Sequence, residues 1–496
     1  MTYDYDLLVI GTGPAGEKGA AQAAYFGKRV AIIEKEPSPG GAAVHTGTIP
    51  SKTLRETALF LSGHRQAELY GLQVKLDRSL AVPKLMSRKD TVVNHEVDRI
   101  LWNLDRHHVE YLKGTAKVSD PHTVILQTDA VDRPITAEFI LIATGSVPFQ
   151  PPHIPFEDPD IDDSDSILHV DRLPESMAVI GAGVIGCEYA SMFAALGVKV
   201  TLIEPRGELL SFLDADMSEA LRVAMLGAGI DVRLNTGAGE VKRAGGNISV
   251  QLTYASAEHI GRGPAFKLPP EEKAGENKGE IHVDKVLFAA GRSGATEKLG
   301  LEDAGVKLGK RGYIEVDKNY RTNVPSIYAA GDVVGFPALA SVSMEQGRVA
   351  MCHAFGFGYK AQVSDVLPYG IYTIPEVSCV GLSEEDAKAK GIDVVVGRGL
   401  YKHNARGRII GDTDGVIKLV FEKASRKLIG AHVLGDRATE LVHTGQMCLL
   451  LGGSVDTLIQ MVFNYPTLSE CYKYAAYDAL GRWEKAERVT EEADGS

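Results

Sequence analysis

Tyr5-Asp-Leu-Leu-Val-Ile-Gly-Thr-Gly-Pro-Ala-Gly16 runs an apolar segment straight into three spaced glycines, and this junction decides the fold. Tyr5 to Ile10 reads as a buried strand, and the small residues up to about Phe26 read as a helix. A second apolar strand, Arg29 to Ile33, ends on Glu34, 23 residues after Gly11. Each part has a task in a dinucleotide-binding unit. Gly11 permits the tight turn, Gly13 lets the backbone approach a pyrophosphate, and Gly16 lets helix and strand pack closely. The helix N-terminus offers unpaired N–H groups and the positive end of its dipole to a phosphate. Glu34 can accept hydrogen bonds from an adenosine ribose. A glycine pattern alone would fit a simple turn as well, but here strand, helix and terminal acid stand in register.

The same unit recurs. Met177 to Ile180 leads into Gly181-Ala-Gly183-Val-Ile-Gly186, a helix continues to about Leu196, and the strand Lys199 to Ile203 ends on Glu204, again 23 residues after the first glycine. Two such units predict two dinucleotide sites and an α/β fold built on two Rossmann-like domains. At the second, Glu204 favours the ribose hydroxyl of NAD because a carboxylate repels a 2′-phosphate. Two residues on, Arg206 could swing to that phosphate, so acid and base together suggest a site that tolerates NAD and NADP. An arginine in such a loop can equally face solvent.

Composition narrows the class. The chain has 496 residues, 44% hydrophobic and 24% charged, and a formal net charge of −12, which disfavours nucleic acid and anionic membranes as partners. No apolar stretch approaches the roughly 20 residues that span a bilayer, and the opening apolar run has neither a basic flank nor a cleavage site. The expectation is a soluble, cytoplasmic protein. Cys187, Cys352, Cys379, Cys448 and Cys471 lie at least 23 residues apart, too far for a Cys-x-x-Cys motif, and are expected to be buried structural thiols. The histidines, including the adjacent His107 and His108, show no metal-site spacing, and no metal is expected.

Between the first unit and a helix expected over Thr53 to His64 lies Gly40-Gly-Ala-Ala-Val-His-Thr-Gly-Thr-Ile-Pro-Ser-Lys52. It resembles the segment facing the isoalloxazine ring in the flavoprotein disulfide reductases, whose pattern is Gly-Gly-x-Cys-x-x-x-Gly-Cys-x-Pro-x-Lys. Gly40, Gly41, Gly47, Pro50 and Lys52 keep the frame, while Ala43 and Thr48 stand where the family has its redox cysteines. A methyl and a hydroxyl can neither form a thiolate nor be oxidised to a disulfide. The family's His-Pro-Thr acid–base segment is replaced by Phe463-Asn-Tyr-Pro-Thr-Leu-Ser-Glu470, with Tyr465 at the histidine position. Phenols ordinarily titrate at about pH 10 and are poor bases at neutrality.

The resemblance extends over roughly residues 4 to 482 and implies FAD at the first unit and a pyridine nucleotide at the second. It further implies cofactor contacts from Gly41, Thr46 and Lys52, from Thr144 and Gly145 in Ala143-Thr-Gly145, from Gly291 in Ala289-Ala-Gly-Arg292, and from Gly331 and Asp332 in Tyr328-Ala-Ala-Gly-Asp332. Asp332 could otherwise cap the helix expected over Ser341 to Phe355. Lys52 and Glu188 match residues that pair near flavin N5, where a cation stabilises reduced flavin; a structural ion pair is the plainer alternative. A decayed enzyme would have no need of two nucleotide units, Lys52 and Asp332. A flavin shuttle that moves hydride between nicotinamides needs them and can dispense with thiols. Together with Asp163-Ser-Asp-Ser166 and Gly331-Asp-Val-Val-Gly-Phe-Pro337, these features resemble the transhydrogenase branch of that family, which implies hydride transfer between NADPH and NAD by a homodimer or a higher oligomer. An exposed flavin could also reduce a quinone or a dye, and a redox-inert FAD scaffold is the remaining reading.

The boundaries expected are a FAD-binding part over 1–150 and 289–365, an NAD(P)-binding part over 151–288, an α+β dimerisation domain over 366–483, and a disordered tail over 484–496. An exposed loop is expected over 261–279, then one strand from His282 to Phe288. A long helix is expected from about Lys84 to His107.

Overall fold

The computed structural model describes residues 3–63, 70–71, 77–255 and 275–494, with the side chains of 78–81 and 485–494 left aside. Its first sheet is parallel at its heart. The order is Glu110–Lys113, Val30–Glu34, Tyr5–Ile10 and Arg133–Ile142, with Ile327–Ala329 on the far side of the last. Leu7, Leu8 and Val9 are wholly buried, as a strand covered on both faces requires. The first half of Arg133–Ile142 pairs instead with an antiparallel hairpin, Thr115–Asp120 and Thr123–Gln127.

The second sheet repeats this design in the order Asp231–Arg233, Lys199–Ile203, Ser176–Ile180, Lys285–Phe288 and Ile161–Asp162, all parallel. An antiparallel sheet of Thr236–Ala244, Asn247–Tyr254 and Asn277–Val283 flanks it. The chain crosses between the two parallel sheets through a short ribbon in which Ser146–Pro148 pairs with Arg292–Gly294. A third, five-stranded antiparallel sheet occupies Tyr369 to Leu434, and helices Ala438–Leu450 and Cys471–Asp494 come after it in the chain.

Several expectations change in detail. The strand expected over His282 to Phe288 is two strands in two sheets, parted at Asp284, whose carboxylate accepts hydrogen bonds from the amides of Glu175 (2.8 Å) and Ser176 (3.0 Å). That aspartate anchors the start of the neighbouring strand, so the chain turns there. The helix expected from Thr53 begins at Thr48 and ends at Ser62, where Gly63 takes the left-handed cap conformation. The long helix spans Arg78–Arg106. The terminal helix runs past residue 484 to Asp494, because Glu, Lys, Ala and Arg there are good helix formers despite their polarity. Most of the loop expected over 261–279 lies outside the described residues, and Asn277 already belongs to a strand.

One hydrophobic core joins all three regions. It unites Leu54 and Ala58 of helix Thr48–Ser62, Cys187, Ala190 and Phe193 of helix Val184–Ala195, and Ile371, Val377 and Leu434 of the antiparallel sheet. That shared core fixes the two dinucleotide units relative to each other.

Candidate active site at the junction of two dinucleotide units

At the first unit, Gly11 adopts φ +99°, and a Cβ there would lie 2.5 Å from the Ala143 carbonyl oxygen. Only glycine fits both demands. A Cβ on Gly16 would come within 1.9 Å of the Gly11 carbonyl, so Gly16 serves the turn itself as much as the helix–strand contact. Helix Pro14–Tyr25 starts at Gly13 without a side-chain cap, leaving its first N–H groups for an anion. Gly41 opens the next short helix with its backbone against Gly13, where a Cβ would stand 2.9 Å from the Gly13 Cα. Two bare backbones thus face one another over the helix start.

Glu34 is buried. Its carboxylate accepts hydrogen bonds from the Thr12 amide (3.1 Å), the Thr12 hydroxyl and the Glu36 amide (2.9 Å). The Thr12 hydroxyl in turn accepts from the Gly40 amide (2.9 Å), tying the acid to the loop that leads into the Gly41 helix. The Thr144 hydroxyl, beside this cradle in Ala143-Thr-Gly145, is buried with no hydrogen-bond partner among the described residues. An uncapped helix start, a glycine-lined approach and an orphaned hydroxyl suit a dinucleotide such as FAD.

Asp332 follows Gly331, which packs against Ala15 at the same helix start. Its carboxylate accepts from Ser146 (3.2 Å) and Ser343 (3.4 Å), while the Gly331 amide donates to Gln346 (2.8 Å). Burial pushes the Asp332 carboxyl above its ordinary range, against the pull of Arg292. Arg292 donates to the Ser146 hydroxyl (2.8 Å), the Ser146 carbonyl (2.7 Å) and Ser164 (3.0 Å), and pairs with Asp165 at 3.3 Å. Burial likewise raises the Asp165 carboxyl, with Arg292 opposing it. Through Arg292 the Asp163-Ser-Asp-Ser166 segment is thus connected to Asp332. Gly291, at φ +126°, faces the Arg311 guanidinium.

The second unit copies the first. Gly181 has φ +104° and abuts the Ala289 carbonyl, Gly186 abuts Gly181, and helix Val184–Ala195 starts at Gly183 without a side-chain cap. The Glu204 carboxylate accepts from the amides of Ala182 (2.7 Å) and Arg206 (3.0 Å). The Arg206 side chain is exposed.

Between the units stands Lys52. Its ammonium donates to Glu188 at 2.6 Å, and the other oxygen of Glu188 accepts from the Tyr372 amide at 2.9 Å. The Tyr372 ring lies under the ammonium, 5.1 Å from nitrogen to centroid. Three regions of the chain therefore hold one cation: helix Thr48–Ser62, helix Val184–Ala195 and the start of the third sheet. Lys52 keeps a quarter of its side chain accessible while Glu188 is buried. The roles of Tyr372, Thr12 and Arg292 do not show in the sequence. Tyr372 and Arg292 act through partners far along the chain and Thr12 through Glu34 of its own unit, and only the position of Arg292, next to Gly291, points to its use.

No thiol competes for the site. Ala43 lies in helix Gly41–His45, the exposed Thr48 begins the next helix, and Thr46 caps the first. All five cysteines are buried and unpaired, as expected. Burial pushes Cys448 up to about 11 and Cys379 and Cys471 up to about 12, and raises Cys187 further. None is a thiolate at neutral pH. Among the described residues no group of three or more His, Cys, Asp or Glu could hold a metal ion, and no helix is long and apolar enough to cross a membrane.

Comparison with known proteins agrees with this architecture. Residues 5–347 match the pyridine nucleotide-disulphide oxidoreductase family, and residues 367–476 match its dimerisation domain. The chain is 42% identical over 481 residues to a soluble pyridine nucleotide transhydrogenase of Mycobacterium bovis, covering 97% of this chain and 98% of that one. It is 39% identical to the protein of that name from Pseudomonas fluorescens, covering 97% and 99%. Among solved structures, the HOCl-induced flavoprotein disulfide reductase RclA of Escherichia coli superposes with a TM-score of 0.82 at 28% identity, over 95% of this chain and 99% of that one. LpdA of Mycobacterium tuberculosis gives the same score, identity and coverage. The chain belongs to the pyridine nucleotide-disulphide oxidoreductase family.

Proposed function

We propose that the chain is a FAD-dependent transhydrogenase that moves hydride between NADPH and NAD, without a dithiol relay. Bound FAD supplies a two-electron carrier that can be reduced by one nicotinamide and reoxidised by another. The observation that carries the reading is the Lys52–Glu188 pair, 2.6 Å long, set between two dinucleotide units where Ala43 and Thr48 replace the family's cysteines. The relatives of similar length that bear the transhydrogenase name support it.

In this reading Gly11, Gly13, Gly16, Gly41, Thr46, Thr144, Gly145, Gly291, Gly331 and Asp332 bind the flavin dinucleotide, with Glu34 on its ribose. Gly181, Gly183, Gly186, Glu204 and Arg206 bind the nicotinamide dinucleotides in turn. Lys52 brings positive charge to the junction, and Glu188 orients it while shielding it from the core. Each sheet falls within one of the spans 1–150 with 289–365, 151–288, and 366–483, which supports that division into domains. A homodimer is expected from the dimerisation domain. Five unpaired cysteines suit the reducing cytoplasm.

The test is transfer from NADPH to thio-NAD by purified, FAD-loaded protein, with both concentrations varied. Parallel double-reciprocal lines are expected, since one nicotinamide site serves donor and acceptor alternately. Intersecting lines, or turnover with a soluble quinone but not with thio-NAD, would sink the proposal.

A further inference from the structure

The two dinucleotide units end on a glutamate in the same register, which makes each a control for the other. Two residues beyond the acid stands Glu36 in the first and Arg206 in the second. Around Glu204 the backbone is tied to the chain that follows strand Asp231–Arg233. The Glu204 amide donates to the Arg233 carbonyl (3.0 Å), the Thr236 amide donates to the Glu204 carbonyl (3.0 Å), and the Asn235 amide donates to the Arg206 carbonyl (2.9 Å). Residues 204–206 and 233–236 are therefore one knot.

Lys278 arrives at that knot from a different sheet. It lies on strand Asn277–Val283, and its ammonium donates to the Thr236 hydroxyl (2.7 Å) and the Asn235 carbonyl (3.5 Å) while lying over the Tyr254 ring at 5.3 Å from the centroid. Burial, and then the charge of Arg233, hold it below the ordinary lysine range. Arg233 pairs with Asp231 through Nε (2.9 Å). Neither Lys278 nor Arg206 has a carboxylate partner within ion-pair distance among the described residues. Arg206 and Lys278 thus meet at Asn235, the first through its backbone carbonyl and the second through its ammonium, with Arg233 on the adjoining strand, beside an acid that on its own repels anions.

We propose that Lys278, with Arg206 and Arg233, forms a subsite for the 2′-phosphate of a phosphorylated dinucleotide at the second unit. Glu204 takes the ribose hydroxyl when that phosphate is absent, and the cations take the phosphate when it is present. One site thereby accepts both substrates of the reaction proposed above, on which this inference rests. Lys278 is a specificity residue drawn from outside the βαβ unit, so no reading of the fingerprint alone finds it.

The experiment compares binding of 2′,5′-ADP and 5′-AMP to the full-length, FAD-loaded protein and to its Lys278→Gln and Lys278→Arg variants, with FAD content and melting temperature as checks on folding. Lys278→Gln is expected to weaken 2′,5′-ADP by about tenfold or more, the worth of one charge-assisted contact, with little change for 5′-AMP. Lys278→Arg is expected to restore most of the loss. In turnover Lys278→Gln raises KM for NADPH and leaves KM for NAD in place. Equal weakening of both fragments would mean that Lys278 merely props the strand, and an unchanged 2′,5′-ADP affinity would mean that it meets no phosphate; either overturns the inference. Wild-type protein that binds both fragments yet moves no hydride would refute the transhydrogenase reading instead.

Discussion

At the scale of single residues, the proposed chemistry turns on a cation that is held in place yet left accessible. Lys52 is fixed by Glu188 and by the face of Tyr372, yet keeps access to the junction. Replacing it with Met retains most of the packing and removes the charge. We expect Lys52→Met to keep FAD and lower turnover from NADPH to thio-NAD by about a hundredfold, the usual loss when one preorganised charge-stabilising donor is removed. Unchanged turnover with full FAD content would reduce the pair to a structural tie. Thr12 makes a second residue-scale case. Its hydroxyl and amide both reach Glu34, whereas Ala182 offers Glu204 an amide alone. The first acid is held more firmly than the second, which suits a resident cofactor against an exchanging one. Thr12→Ala should therefore weaken FAD retention by about tenfold in dialysis, with NAD affinity unaltered. Restoring the family's cysteines through Ala43→Cys with Thr48→Cys should not create a dithiol dehydrogenase, because in the proposed reading Tyr465 still stands in place of the acid–base histidine. Dihydrolipoamide oxidation at neutral pH by that double variant would contradict this assignment.

At the scale of elements, the contact between the second unit and the C-terminal sheet depends on buried charge. Lys418, on strand Val416–Glu422, is 1% exposed and reaches Asp214 (2.6 Å), Asp216 (2.8 Å) and Glu384 (3.1 Å). Asp214 and Asp216 sit at the start of helix Ala215–Gly227, and Arg398 adds a contact to Asp216 at 2.5 Å. Removing the lysine strands the Asp214 carboxylate in the interior, so Lys418→Met should cost about 3–5 kcal/mol in urea unfolding. The pH dependence has a definite sign. Burial pushes Asp216 up, but its hydrogen bonds with Asp214, Arg398 and Lys418 outweigh that and hold it well below the ordinary carboxylate range. Its contribution is thus complete above about pH 4, where unfolded aspartate ionises, and drains away as pH falls towards the folded value. The stability gap between wild type and Asp216→Asn should therefore be widest at pH 7 and shrink on acidification below pH 4; a gap that grew there would rule the assignment out. Nothing in the sequence announced this cluster, because its members lie far apart along the chain. The fingerprint strands and helices were legible almost to the residue, since strand, glycines and acid are local. The break at Asp284 was not, because it depends on amides of Glu175 and Ser176 at the start of another strand. Lys52 and Glu188 could be matched to a family pattern, but the contact that Tyr372 makes beneath them could not.

At the scale of the molecule, the surface leaves an apolar face where the dimerisation domain ends. Met447 and Leu450 of helix Ala438–Leu450, then Leu451, Val462 and Tyr465, are all at least half exposed, with Val462 at 93% and Leu451 at 77%. Single exposed apolar residues are ordinary, but several of this size within a matched dimerisation domain indicate a surface that is covered in solution. The formal charge of −12 works against association, so apolar burial must exceed the repulsion between copies. Sedimentation should accordingly give a particle of twice the 53.3 kDa chain mass, persisting in low salt where that repulsion is greatest. Leu451→Glu with Val462→Glu places two more negative charges per copy on that face and should shift the particle to the mass of one chain. The parallel sheets and the Lys52–Glu188 pair lie within one chain, so the monomeric variant should still bind FAD. A double variant that sediments as a dimer would move the interface elsewhere. A monomer that also loses FAD would show instead that the flavin site is completed across the interface.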